Sequence, residues 1–522
     1  MDGQIYAQPL YLSGISIPSK GTHNVVYVAT EHNSVYAFDA DNNVGANAQP
    51  LWQVNLGPSC PNNDFGTTDI KPEVGITGTP VIDPAGPGGT PTLYVVAKTK
   101  TFDAGNNAVY SLYIHALDAT SGVEKLGGPV LIQGQVNGTG DGNDGNGHVP
   151  FSPFLANQRA GLLLVSGNGS NGIRRNSRPA LHSNASAGGG STLYIAFASH
   201  GDNGAFHGWV FAYDATTLQQ KAIMCTTPNA VTDPSGYPLA AGGIWQAGAG
   251  LASDGASIFC TTGHGMFNAG NGSYGDSVIR LNSDLTVPDF FAPADQSALN
   301  NADSDFGSGG VVLLPPSVGS AAHQNLLVAV GKEGSIFLLD AANLGGNDTT
   351  DHVVQVLSHE VAGVWGVPAY FNGNLFFGPV NGPIAHLSIS NGAFPANGID
   401  SGSPDTYGYP GAVPSVSSNG TSNGIVWAVQ TSGSSTGTPA KLRAYDATNL
   451  GNELYDSGTT SGRDVLGSAV KFAVPTIARG KVYVGTSGQL NIFGLIGFVE
   501  TPVIAPAGGN YSGSVTVTIT DA

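Results

Sequence analysis

Leu93-Tyr94-Val95-Val96 and, further on, His115-Ala116-Leu117-Asp118-Ala119-Thr120-Ser121-Gly122 decide the fold. The first run is a short apolar and aromatic segment of the kind that pairs in sheets. The second ends in an aspartate where the chain must reverse, and a carboxylate there can accept bonds from nearby backbone N–H groups. The reading of that aspartate is therefore structural, not catalytic. Working outward, the same pair of segments returns along the chain. Val25-Val26-Tyr27-Val28 precedes Val35-Tyr36-Ala37-Phe38-Asp39-Ala40, and Leu193-Tyr194-Ile195-Ala196 precedes Val210-Phe211-Ala212-Tyr213-Asp214-Ala215. Leu326-Leu327-Val328-Ala329 precedes Ile336-Phe337-Leu338-Leu339-Asp340-Ala341, and Ile425-Val426-Trp427-Ala428 precedes Leu442-Arg443-Ala444-Tyr445-Asp446-Ala447.

Weaker copies lie at Ile258-Phe259-Cys260, at Asn374-Leu375-Phe376-Phe377 and at Lys481-Val482-Tyr483-Val484. Eight copies over about 495 residues come to about 62 each, longer than the roughly 40–50 of compact propeller repeats, so several loops are extended. One such sheet cannot bury both faces alone, so the copies must stack. A closed ring does this without long exposed edges. The expectation is all-β: one eight-bladed β-propeller of four-stranded antiparallel blades over 1–497. The eighth copy shows three strands, which leaves room for one from ahead of Met1. Residues 498–522 read as a linker and the truncated start of a C-terminal β-sandwich module. The stretch 166–190, with Arg174, Arg175 and Arg178 among Asn, Ser and Gly, reads as an exposed excursion from the third blade.

Composition agrees. The 522 residues include 76 Gly and 32 Pro, a load that weakens helix interiors. Lys and Arg total 18 against 36 Asp and Glu, a formal charge of −18 with no basic run. Sequence-independent nucleic-acid binding is therefore not expected, nor is membrane insertion, because no stretch of about 18 apolar residues exists. Cys60, Cys225 and Cys260 are too few for a disulfide framework and read as small buried residues.

The turns of type Ala-x-Asp-x-x-(Thr/Ser)-Gly, fullest at Ala116 to Gly122, resemble the pyrroloquinoline-quinone (PQQ)-type repeat of the quinoprotein alcohol dehydrogenase-like superfamily. Gly75-Ile76-Thr77-Gly78-Thr79-Pro80-Val81-Ile82-Asp83 and Ala198-Ser199-His200-Gly201-Asp202-Asn203-Gly204 look like a bacterial secreted subgroup. The tail from Pro502 to Thr518 is similar to the start of a chitobiase C-terminal-type module found on carbohydrate-active proteins. The resemblance implies a secreted or periplasmic monomer with PQQ and calcium near the channel axis. The adjacent cysteines of the alcohol-oxidising branch are missing, and so is a Cys-x-x-Cys-His haem site, so electrons would leave to another protein.

In a propeller, loops between blades and loops between middle strands share the face that usually carries the ligand. By loop position, Glu73, Asp303 and Lys332 are the catalytic candidates, and Trp245, Trp365 and Arg463 the cofactor-binding ones. His148, His200, His207 and His264 fall in three consecutive blades and are the metal candidates, although no compact ligand motif joins them. Glu73, His148, His200, His264, Trp245 and Lys332 are expected to converge in one depression at the channel mouth. Asp141-Gly142-Asn143-Asp144 has a superficial likeness to a calcium loop but lacks its terminal acidic ligand. No Gly-x-Ser-x-Gly elbow joins a strand to a helix. Three functions remain open: a quinoprotein oxidoreductase acting on a sugar or alcohol, a non-catalytic carbohydrate-binding propeller whose aromatic candidates include Tyr407 and Tyr409, and a metal-dependent lyase or hydrolase built on the histidines. In each the partner is a small molecule or glycan.

Overall fold

In a computed structural model, residues 1–167, 190–236, 240–460 and 462–495 are described, with two short strands, Val503–Ala505 and Thr518–Thr520. The chain is all-β, an eight-bladed propeller of antiparallel sheets. The first blade runs Leu10–Ile17, Gly21–Ala29, Ser34–Asp39 and Trp52–Asn55 from channel to rim. The second runs Val81–Asp83, Thr92–Phe102, Ala108–Asp118 and Val130–Leu131. Among the described residues seven blades carry at least four strands and the eighth has three, Thr476–Ala478, Lys481–Thr486 and Gln489–Gly494. Among the described residues the α-helix is a single short one, Gln296–Asn301, and no helix is long and apolar enough to cross a membrane.

The repeated aspartates act as turn builders. Asp118 Oδ1 accepts from Thr120 N at 2.8 Å, Asp214 Oδ1 from Thr216 N at 2.8 Å, and Asp446 Oδ1 from Thr448 N at 2.8 Å. Asp39 and Asp340 do the same two residues on. The alanine after the aspartate has a second use. Its carbonyl accepts from a tyrosine of the neighbouring blade: Tyr27 Oη to Ala119 O at 3.0 Å, Tyr94 Oη to Ala215 O at 2.5 Å. Tyr483 Oη closes the ring onto Ala40 O at 3.3 Å. A buried tyrosine needs such a partner for its hydroxyl.

Between the blades lie apolar seams. Tyr27, Ala37 and Trp52 meet Ile82, Leu93 and Val95 across the first junction. Tyr11, Val26 and Tyr36 meet Tyr483 across the last. One latch contributes about 1 kcal/mol, whereas one fully buried aliphatic side chain contributes about 1.5–3 kcal/mol. Burial therefore holds the blades together, and the latches set their register. The three cysteines are buried free thiols.

Residues ahead of the inner strands of distant blades meet one another. Gly248, before the inner strand of the fourth blade, lies against Val413 and Val474 of the seventh and eighth. Its φ is +73°, and a Cβ there would meet their methyl groups at 3.0 and 3.1 Å. Ala249, Val367, Val413 and Val474 share one apolar cluster.

Of the C-terminal stretch 498–522, only the two short strands are described; they pair antiparallel, Val503 opposite Thr520. Most of the 166–190 excursion, residues 168–189, lies outside the described residues.

Candidate functional site at the channel mouth

The loops that lead into the inner strands bring charged side chains to the axis from all round the ring. Their meeting produces two ends of opposite character.

At the first end, Asp69 lies between two cations. Arg159 Nη1 donates to Asp69 Oδ2 at 2.5 Å, and Lys471 Nζ donates to Asp69 Oδ1. Arg159 and Lys471 introduce the inner strands of blades three and eight, so their shared carboxylate must lie over the channel. The Arg159 side chain is 4% exposed and the Lys471 side chain 14%. Burial alone would raise the Asp69 carboxyl, but the two cations hold it far below the usual carboxylate range. Lys471 is pushed down, first by burial and further by repulsion from Arg159 and Lys71. Phe472 lies under the Arg159 guanidinium at 4.8 Å, and Tyr409 stands edge-on to Trp365 at 5.5 Å.

The second end centres on His264, whose side chain is 1% exposed. Asp305 Oδ1 accepts from His264 Nδ1 at 2.7 Å and from the His264 backbone N at 2.6 Å. Lys332 Nζ lies 2.7 Å from Asp305 Oδ2, 2.7 Å from Asp303 Oδ1 and 3.0 Å from Asp303 O. His264 Nε2 has no hydrogen-bond partner among the described residues; Asp202 Oδ1 is 3.6 Å away. Burial works against an imidazolium here, but Asp305, Asp202 and Asp303 outweigh it and raise His264 to about 9. Burial also opposes the Asp305 charge, yet His264 and Lys332 bring its carboxyl down to about 2. Beneath it, the buried Asp276 carboxyl is pushed well up by desolvation and by Asp305. Backbone strain gathers at the same place: Gln246, Asp276 and Asp303 have φ of 36°, 47° and 51°.

Within reach of the Arg159 charge, the buried Glu31 carboxylate accepts from Gly75 N at 2.7 Å and Thr77 Oγ1 at 3.1 Å through Oε2, while Oε1 has no partner among the described residues. Desolvation raises it to about 7.

The sequence-derived candidates are divided by this geometry. Lys332, Asp303 and His264 meet at the second end, and the Trp245 indole lies beside them. A Cβ on Gly263 would touch both Trp245 and Asp305, and the Trp245 Nε1 donor is buried without a partner. Trp365 reaches the first end through Tyr409. Glu73 accepts from His32 Nδ1 at 3.0 Å and from Ser59 Oγ. His200 faces inward, but Lys98 Nζ donates to its Nε2 at 2.6 Å and Phe65 stacks on its ring at 4.0 Å. Burial and Lys98 push His200 well down, and burial lowers Lys98 to about 7.

The four histidines are not gathered into one ligand set: His148, His200 and His207 bond other partners, and His264 lies with Asp202 and Asp303. His207 bonds Thr227 Oγ1 and Asp141 O, both at 2.8 Å. His148 rides the Gln135–Pro150 hairpin and pairs with Asp144 at 3.1 Å. Arg463 is exposed and pairs with its neighbour Asp464 at 2.6 Å. Among the described residues, the group that could hold an ion is Asp202, His264 and Asp303. Sequence reasoning missed Asp69, Arg159 and Glu31.

No family model matches the chain, and no curated protein matches it. Solved structures do. A quinohemoprotein alcohol dehydrogenase from Comamonas testosteroni is similar at 14% identity and a TM-score of 0.50, over 98% of this chain and 78% of that one. A quinohemoprotein alcohol dehydrogenase from Pseudomonas putida HK5 shares 14% identity at a TM-score of 0.49, over 94% and 71%. A europium-containing methanol dehydrogenase shares 12% at 0.47, over 93% and 86%. The likeness is one of fold, that of a β-propeller.

Proposed function

We propose that the channel mouth is the active site of an oxidoreductase that oxidises an alcohol or sugar, the hydroxyl proton passing to the protein and a hydride equivalent of the hydroxyl-bearing carbon to PQQ as two-electron acceptor. One observation carries the reading: the His264 imidazole, oriented by Asp305 through Nδ1, keeps a buried Nε2 that has no hydrogen-bond partner among the described residues, with Asp202 Oδ1 3.6 Å away. That arrangement suits a general base.

A flat anionic quinone fits. Arg159 and Lys471 share one carboxylate and leave positive charge unmatched, and the Trp365–Tyr409 pair offers ring surface, Tyr409 being 48% exposed. Calcium does not fit at Asp202, His264 and Asp303. It takes six to eight oxygen ligands, and the Lys332 ammonium already sits against the carboxylates of Asp303 and Asp305. When bound, the quinone supplies the two-electron acceptor. The chain's own residues do the rest. His264 Nε2 accepts the hydroxyl proton, Asp305 holds Nδ1–H and stabilises the imidazolium, and Lys332 keeps Asp305 in place. Asp202, 3.6 Å from Nε2, stabilises the imidazolium that forms.

Dye reduction with PQQ and a panel of alcohols and sugars tests the reading. The expected result is turnover in the wild type, with PQQ binding retained but turnover lost in His264→Gln. No turnover with any substrate, together with binding on glycan arrays, would instead favour the carbohydrate-binding reading, which the exposed Tyr409 beside Trp365 supports.

A further inference from the structure

Two buried cations facing one carboxylate are an incomplete arrangement. A charge taken out of water is stabilised only when it is paired and hydrogen-bonded. Arg159 spends Nη1 on Asp69, and Lys471 spends its ammonium on the same group. A further acid, Glu31, is stabilised by the Arg159 charge. The groups that act on it are Arg159 and Glu73, and it in turn acts on Tyr6 and Cys60. Its Oε2 is held by Gly75 and Thr77, while its Oε1 is buried and unpartnered. Tyr6, Tyr409 and Phe472 provide aromatic walls.

We infer that Arg159 and Lys471 form a binding site for a ligand carboxylate, and that Glu31 takes up a proton when that carboxylate arrives. The site stands on the charge count and geometry of this end of the mouth, whatever reaction occurs at the other. A second anion beside Arg159 competes with an ionised Glu31 for the same cation. Glu31 already sits at about 7, so an added negative charge drives it to the protonated form. Uptake of one proton weakens binding by up to about tenfold per pH unit above that value. Two sources can supply the carboxylate: an acidic substrate such as a sugar acid, or the carboxylates of the quinone cofactor.

Isothermal titration of the full chain separates them. D-gluconate is compared with D-glucose in the absence of cofactor, and PQQ is titrated alone. Gluconate binding without glucose binding assigns the site to substrate; PQQ binding without gluconate binding assigns it to cofactor. In either case Arg159→Gln and Lys471→Met each weaken binding more than about tenfold, since the pair supplies charge-assisted bonds. Glu31→Gln retains binding and loses the proton uptake read from buffers of different ionisation heat at pH 7.5. Lys471→Met keeps the test valid if Arg159→Gln fails to fold. Absence of binding by both anions, or binding unchanged in folded Lys471→Met, overturns the site. Proton uptake persisting in Glu31→Gln overturns the role of Glu31. Failure of dye reduction would sink the oxidoreductase reading and leave this site untouched.

Discussion

The two ends of the channel mouth use the same residue types in opposite proportions. Around Asp69 there are two cations for one carboxylate; around Lys332 and His264 there are three carboxylates, Asp202, Asp303 and Asp305. Each proportion shifts the local proton affinities. Lys471 is pushed down where cations dominate, and Lys332 is pushed up where carboxylates dominate. The Asp202 carboxyl, partly buried among other acids, also rises. One end is arranged to receive an anion and the other to receive a proton.

The largest expected effect breaks the proton-accepting end. His264→Gln should lower kcat/KM by about 10²–10⁴-fold, with quinone binding unchanged. Loss of binding together with turnover would mean that the two ends are not distinct.

Next in size is stability. Asp305→Ala strands Lys332 and His264 beside Asp303, and removing one partner of a buried pair costs roughly 3–5 kcal/mol. Thermal melts should show a clear fall. By contrast, Arg463→Ala removes an exposed pair worth about 0–1 kcal/mol and should leave the melt nearly unchanged. Equal shifts for the two would contradict the contrast between mouth and surface.

A smaller effect concerns pH. Asp305, Asp202 and Asp303 raise the His264 imidazole from its ordinary 6.5 to about 9. Its contribution to stability is therefore fully present below about 6.5 and is lost as pH rises through about 9. Turnover runs the other way, because only the neutral imidazole accepts a proton, so kcat/KM should climb toward pH 9. A profile already flat at pH 7 would show that His264 is not the base. The smallest effect is a null one: millimolar calcium should leave the melting temperature of the wild type unchanged, since Lys332 holds the cation position. A calcium-dependent rise abolished by Asp303→Asn would reverse that assignment.

Much of the propeller was legible in the chain because its repeat is local. The aspartate and the turn it builds are two residues apart, as at Asp118 and Thr120. The latch from Tyr94 to Ala215 was not legible, because it joins different blades. The mouth divided in the same way. Position in a loop brought forward His264, Asp303, Lys332 and Trp245, which the fold places together. Asp69, Arg159 and Glu31 carry no motif; Asp69 meets Lys471 across 402 positions. His148 and Arg463 misled for a local reason. Each has a carboxylate within four positions, Asp144 and Asp464, which satisfies it without reaching the axis.

The central claim, that the second end is a proton-accepting site set by its carboxylates, is tested most directly by nuclear magnetic resonance titration of the His264 imidazole, assigned by comparison with His264→Gln. The account predicts a midpoint near 9 in the wild type and a fall of at least one unit in Asp305→Asn. A wild-type midpoint at or below 6.5, or one that Asp305→Asn does not move, would contradict it.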